Sequence, residues 1–181
     1  MSEKGYLLDV NVLYALMARN HIHHPIAEAW FYAAADLSWA LCPFTEAGFL
    51  RNATAPRAGQ IEMAEATAIL KRLAQHPGYR YLPIAEDWHT LCGPFFKRLF
   101  GTKQVTDAYL LGLAVRSGMV LVTMDKGIVY LAGSEFSKHV LLLEASLVGR
   151  RPPPGRVHEA VEPVTENTGQ RSLDSCSGNG K

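Results

Sequence analysis

The sequence predicts an α/β fold in which a mainly parallel sheet is covered by helices on both faces. Three observations lead there. Tyr6-Leu7-Leu8, Trp39-Ala40-Leu41-Cys42 and Met119-Val120-Leu121-Val122 are short runs without apolar–polar alternation, so they read as strands buried on both sides. Segments with helical spacing of apolar residues separate them, the order expected of strand–helix–strand units. Acids recur just past the strands, at Asp9, Glu46 and Asp125.

In chain order, a strand over residues 6–9 leads into a helix over 10–19, with Val12, Leu13, Leu16 and Met17 on one face and Asp9 placed to cap it. A His-rich turn, Asn20-His21-Ile22-His23-His24, precedes Pro25, which opens a helix over 25–35 from its first position. Ile26, Ala29, Trp30 and Ala33 form its predicted stripe. The second strand, 39–43, runs into a helix capped near Phe44 or Thr45 and carrying Glu46. After a loop over 52–59, a helix over 61–74 presents Ile61, Ala64, Ala68, Ile69 and Leu73. His76-Pro77-Gly78 breaks it before a strand over 79–83. Gly93-Pro94 kinks or splits the helical stretch 88–100. The strongest helix covers 105–117, with Thr106 as its cap and Ser117-Gly118 closing it. A strand over 119–123, a short helix over 126–131 and a strand over 140–143 complete the pattern.

Beyond residue 150 the composition changes: Arg151-Pro152-Pro153-Pro154-Gly155 is a breaker, and residues 151–181 contain no aromatic. One domain over 1–148 and a disordered tail over 149–181 are therefore expected. A net charge of +1 gives no global basic field for nucleic acid, so any such ligand needs a local patch or metal ions. Cys42, Cys92 and Cys176 form no C-x-x-C pair and argue against a disulfide framework or zinc ribbon. No apolar run approaches the ~20 residues of a membrane span. A soluble, cytoplasmic protein with no membrane association is the expectation.

The chemistry lies in the acids. Asp9, Glu46 and Asp125 follow strands, and Asp107 falls in the first turn of the strongest helix. Singly, each has an ordinary role as a cap, a first-turn acid or a turn residue. Together they would gather at the carboxyl edge of a parallel sheet, where such folds bind ligands. Clustered carboxylates repel and call for a hard cation, Mg²⁺ or Mn²⁺. A pair of such ions can activate water and stabilise the leaving oxygen, so the pattern points to metal-assisted phosphodiester hydrolysis. His21, His23 and His24 lack Cys partners and read as helix entry rather than a zinc site.

Four stretches, in order, carry a resemblance. They are Leu7-Leu8-Asp9-Val10-Asn11-Val12-Leu13, Cys42-Pro43-Phe44-Thr45-Glu46-Ala47-Gly48-Phe49-Leu50-Arg51, Val105-Thr106-Asp107-Ala108-Tyr109-Leu110-Leu111-Gly112-Leu113-Ala114 and Leu121-Val122-Thr123-Met124-Asp125-Lys126-Gly127. Over about residues 5–145 the chain resembles the PIN domains of VapC-type toxins from bacterial toxin–antitoxin systems. The resemblance implies a three-layer α/β/α sandwich, Mg²⁺- or Mn²⁺-dependent ribonuclease activity, a cognate antitoxin and a homodimer. Asp9, Glu46, Asp107 and Asp125 match the family's acidic quartet; Asp9, Asp107 and Asp125 would bind metal and Glu46 would bind metal or orient water. Asn11 and Thr123 match polar positions that would hold the ligands in place. Arg51, Lys103 and Lys126 stand near the acids in sequence, as contacts to RNA phosphates or as solvated surface charge. Two other functions fit the residues: a catalytically idle domain acting through protein binding, and a nuclease for DNA.

Overall fold

The computed structural model describes residues 5–34, 38–56 and 60–144. Among them, five short strands form one sheet: β1 (Tyr6–Leu8), β2 (Trp39–Leu41), β3 (Tyr79–Tyr81), β4 (Val120–Thr123) and β5 (Val140–Leu142). Their order is β3-β2-β1-β4-β5, and every pairing is parallel. The helices are α1 (Val10–Met17), α2 (His24–Ala33), α3 (Pro43–Ala53), α4 (Met63–Leu73), α5 (Trp88–Cys92), α6 (Gln104–Arg116) and α7 (Lys126–Ala132).

The continuous apolar runs are explained by burial on two faces. Leu7, Ala40 and Leu121 pack with residues of α5, α6 and α7, such as Leu91, Leu111 and Ile128. Their neighbours Leu8, Leu41 and Val122 point the other way, onto Val12, Phe49 and Leu73 of α1, α3 and α4. The result is a three-layer sandwich, as the sequence implied. Trp39 belongs to the core and is 2% exposed, its indole N–H donating to His76 Nδ1 at 3.3 Å.

Several boundaries differ from expectation for local reasons. On α2 the inward face is Ile26, Ala27, Trp30 and Phe31, while the predicted Ala29 and Ala33 are exposed. On α4 it is Ala66, Ile69, Leu70 and Leu73, with Ala64 and Ala68 exposed. In both, alanines fit either face, and the bulkier side chains decide the rotation. Neither Phe44 nor Thr45 caps α3: Pro43 takes an opening position, where its missing N–H costs nothing, and Cys42 stands at the cap. Thr106 does not cap α6, which begins at Gln104 with Lys103 in the cap position. Gly93-Pro94 splits the 88–100 stretch, and residues Gly93–Arg98 continue as a 3-10 helix.

The end of α6 follows the sequence closely. Gly118 has φ +65°, Met119 N–H donates to Ala114 O at 2.9 Å, and Gly118 N–H donates to Val115 O at 3.2 Å. This pair of bonds is a Schellman closure, and it turns the chain directly into β4. The expected domain end at 148 and the tail over 149–181 lie outside the described residues. No described helix is long and apolar enough to cross a membrane.

Candidate active site at the carboxyl edge of the sheet

Adjacent strands β1 and β4 diverge in their connections: the chain leaves β1 toward β2 and β3, and leaves β4 toward β5. That divergence opens a crevice at the strands' carboxyl ends, where doubly wound sheets bind ligands. Asp9 stands directly past β1 and Asp125 two residues past β4. Asp9 N–H continues the ladder by donating to Val122 O at 3.0 Å. Its carboxylate is held from the neighbouring strand, since Thr123 Oγ1 donates to Asp9 Oδ2 at 2.8 Å. Thr123 Oγ1 in turn accepts from Asp125 N–H at 3.0 Å. One hydroxyl thus joins the Asp9 carboxylate to the backbone N–H of Asp125 across the crevice.

Asp9 sits at the cap position of α1 but makes no side-chain capping bond. It is only 3% exposed, and burial, the dominant influence, raises its carboxyl above the usual range. The Thr123 hydrogen bond and the amides of Val10 and Asn11 oppose that rise, while the charge of Asp125 adds to it. Asp107 enters from the first turn of α6. Its carboxyl is pushed up to about 6, first by burial and then by the charges of Asp9 and Asp125. The three aspartates therefore lie within each other's fields. Among the described residues no three His, Cys, Asp or Glu side chains are set closely enough to hold a metal ion. The donors are hard oxygens suited to Mg²⁺ or Mn²⁺, but they share an edge without closing into a coordination shell.

Glu46 occupies the first turn of α3, beyond β2. Its helix is tied to the crevice by Thr45, whose Oγ1 donates to Leu8 O at 2.9 Å, one residue before Asp9. Gly48 lets α1 and α3 approach closely: a Cβ there would lie 2.5 Å from Val10 Cγ2. Burial raises the Glu46 carboxyl; the phenols of Tyr79 and Tyr81 on β3 are raised first by burial and then by the Glu46 charge. The structure thus brings Asp9, Asp107 and Asp125 together and sets Glu46 on the β2–β3 side of the same edge.

Asn11 is exposed on α1, and among the described residues its side chain makes no hydrogen bond to an acid; only its backbone amide acts on Asp9. It lines an open cleft of about 320 Å³ with His21, His23, Met124 and Asp125. Two of the histidines therefore reach the site edge, a placement that sequence spacing did not reveal, because the turn's return toward Asp125 is a tertiary effect. His24 is directed elsewhere: its Nδ1 donates to Ala15 O at 2.9 Å and its Nε2 lies 3.7 Å from Glu28.

The three candidate RNA-contacting cations divide by position. Lys103, at the cap position of α6, and Lys126, directly after Asp125, are both exposed at the acid edge. Lys126 Nζ also lies 3.2 Å from Glu144 in an exposed pair, which solvent renders weak. Arg51 is in the last turn of α3, eight residues from its start, so the helix carries it roughly 12 Å down from the edge. A phosphate held at the aspartates would meet Lys103 or Lys126 before Arg51.

Comparison with known proteins agrees with this geometry. The PIN domain family matches residues 6–133, a span that holds all four acids. Ribonuclease VapC38 of Mycobacterium tuberculosis is 46% identical over 128 residues, covering 70% of this chain and 89% of that protein. Ribonuclease VapC44 of the same species is 40% identical over 129 residues, covering 67% of this chain and 87% of that protein. The crystal structure of VapBC2 from Rickettsia felis, bound to a DNA fragment from their promoter, superposes with a TM-score of 0.53 over 77% of this chain and 99% of that one. At 11% identity, that likeness speaks for the fold alone. The parallel sheet, its acid-bearing crevice and the extent of these matches together establish that the chain belongs to the PIN-domain family, as a VapC-type protein.

Proposed function

We propose that this protein is the toxin of a toxin–antitoxin pair, an endoribonuclease that hydrolyses RNA phosphodiester bonds with Mg²⁺ or Mn²⁺ at the β1–β4 crevice. The observation that carries the reading is the convergence of Asp9, Asp107 and Asp125 on one edge within each other's fields, with the carboxyl groups of Asp9 and Asp107 raised first by burial and then by neighbouring aspartate charge. Uncompensated, three such acids oppose one another; a divalent cation relieves that repulsion. The reach of the likeness to proteins named as ribonucleases, 89% of VapC38, supports the substrate class.

Asp9, Asp107 and Asp125 would hold the cation, and Glu46 would complete its surroundings or take a proton from the attacking water. When bound, the ion lowers the pKa of coordinated water and offsets charge on the phosphate oxygens. Thr123 keeps the Asp9 carboxylate oriented through the 2.8 Å bond and links it to the backbone before α7. Lys103 and Lys126 supply positive charge for flanking phosphates without specifying sequence.

The partner is an antitoxin, a pairing supported by the VapBC complex among the structural likenesses. An Arg or Lys of that partner, placed between the carboxylates, would neutralise the edge by charge-assisted hydrogen bonds. The toxin itself is read as a homodimer.

The test is cleavage of RNA and of single-stranded DNA by the purified chain in Mg²⁺, in Mn²⁺ and in EDTA, with Asp9→Asn alongside. RNA cleavage that EDTA and Asp9→Asn both abolish is expected. Cleavage that survives either would sink the metal reading, and a preference for DNA would overturn the substrate class.

A further inference from the structure

The turn between α1 and α2 is built beyond the needs of a connection. His21 N–H donates to Ala18 O at 2.9 Å and His24 N–H to His21 O at 2.8 Å. His24 pins its far end to α1 through Ala15. On this fixed backbone the rings of Tyr14, His21 and His23 form a chain: His21 lies 5.5 Å from Tyr14, edge to face, and 5.5 Å from His23. Between the two histidines Ile22 stands 83% exposed. His21 and His23 face the same open cleft as Met124, Asn11 and Asp125. An aromatic and apolar ledge therefore adjoins one of the three central acids.

The character of the ledge decides what it would take. His23 N–H donates to His21 Nδ1 at 3.2 Å, so Nδ1 acts as an acceptor and the ring proton resides on Nε2. A neutral imidazole beside a second imidazole and a methionine offers little to a phosphate. It offers a π-face and an apolar surface to a nucleobase, which every base can use. The Asn11 amide in the same cleft adds a donor and an acceptor for a base edge.

We propose that the rings of His21 and His23, with Tyr14 of α1 packed against His21, form a nucleobase platform, which takes the unstacked base of a nucleotide adjoining the phosphate held at the aspartates. The inference rests on the ribonuclease reading and deepens it: the substrate at this site is single-stranded, and His21 and His23 position it by stacking rather than by charge.

The test measures equilibrium binding in Ca²⁺, by fluorescence anisotropy, of a labelled single-stranded oligoribonucleotide and an abasic oligomer of equal length. The variants are His23→Ala, which keeps the amide bond to His21 Nδ1, His23→Phe, and the double variant His21→Ala/His23→Ala. Thermal melts establish that each is folded. His23→Ala should weaken binding of the base-bearing oligomer several-fold, and the double variant roughly ten- to hundredfold. Binding of the abasic oligomer should be unchanged, and His23→Phe should restore most of the loss. Equal weakening on both oligomers would show a phosphate contact and overturn the platform, as would unchanged binding of the base-bearing oligomer, or a loss that Phe does not restore. If the wild type cleaves RNA yet the variants bind like it, the platform alone falls. If the wild type neither binds nor cleaves RNA, the ribonuclease reading falls first and takes the platform with it.

Discussion

Replacing Asp107 by Asn should make the metal-free protein more stable at neutral pH, although it removes a residue of the candidate site. Asp107 titrates at about 6, against 3.8 for an unperturbed aspartate, so the folded state holds its proton more tightly than the unfolded chain. For an acid raised in this way, folding is favoured while the group is protonated. Stability falls as pH rises from about 4 to 6 and stays reduced above that window. A shift of about two units corresponds to at most about 3 kcal/mol. Asp107 is partly exposed, and solvent screening reduces the figure to about 1–1.5 kcal/mol. The neutral amide avoids this penalty, so Asp107→Asn should melt about 2–5 °C higher than wild type at pH 7.5 in EDTA. The gap should shrink toward zero near pH 4. Burial, not repulsion, is the leading cause of the shift, so most of the gap should persist in 0.5 M NaCl, where charge–charge interactions between the acids are screened. Calorimetry or thermal circular dichroism across pH 4–8 measures it. Destabilisation by Asn at pH 7.5, or a gap of the same size at pH 4.5 and 7.5, would refute the account of a strained acid edge. Mg²⁺ should then stabilise wild type more than the variant, because binding to the folded state alone raises stability with ligand concentration.

Three further outcomes follow from single contacts. Thr123→Val keeps the shape but leaves Asp9 Oδ2 and Asp125 N–H without their shared hydroxyl, so urea denaturation should show a loss of about 1.5–3 kcal/mol together with reduced cleavage; a change below about 0.5 kcal/mol would contradict the coupling. Gly48→Ala should cost about 1–3 kcal/mol, because its Cβ would lie 2.5 Å from Val10 Cγ2, and adding Val10→Ala should recover part of that cost; strictly additive losses would refute the α1–α3 close approach. Cys92 is buried and its thiol is pushed up to about 11, so mass spectrometry should find it unlabelled by maleimide in native protein at pH 8 and labelled in guanidinium; rapid native labelling would refute its burial.

The fold was legible because its strands are buried on both faces and so leave continuous apolar runs, with Leu7 and Leu8 serving opposite layers. Gly118 was legible for a similarly local reason, since its left-handed φ is a property of one residue. Helix faces rich in alanine were not: Ala29, Ala33, Ala64 and Ala68 carry too little surface to fix a rotation that Phe31 and Leu70 decide by packing. Caps failed where sequence offered a good cap that the chain did not use, as at Thr106 inside α6 and Thr45 inside α3. Thr45 illustrates why: its hydroxyl is committed to Leu8 O, a contact 37 positions away in sequence that outweighs the local preference.

The same distinction applies within the site. Asp9, Glu46 and Asp125 could be placed on one edge from sequence because each follows a strand of a parallel sheet, while the adjacency of Asp9 and Asp125 comes from the pairing of β1 with β4, which the sequence did not reveal. Glu46 could be assigned to the edge but not to its neighbours there. Its position depends on β3 lying beyond β2, which puts Tyr79 and Tyr81 within its field. The edge is therefore asymmetric, with three aspartates coupled across the β1–β4 crevice and one glutamate toward the phenols. An assembled quartet would require Glu46 to be drawn inward, and a divalent cation bound at the aspartates, as proposed, would supply the force to do so. The ties through Thr45 and Gly48 limit how far α3 can move, so most of that adjustment falls to the Glu46 side chain itself. Glu46→Gln should accordingly lower cleavage while leaving metal-free stability much closer to wild type than Asp107→Asn does. A Glu46→Gln variant that matched the stabilisation of Asp107→Asn in EDTA and lost that gain in 0.5 M NaCl would place Glu46 among the repelling acids and remove the asymmetry.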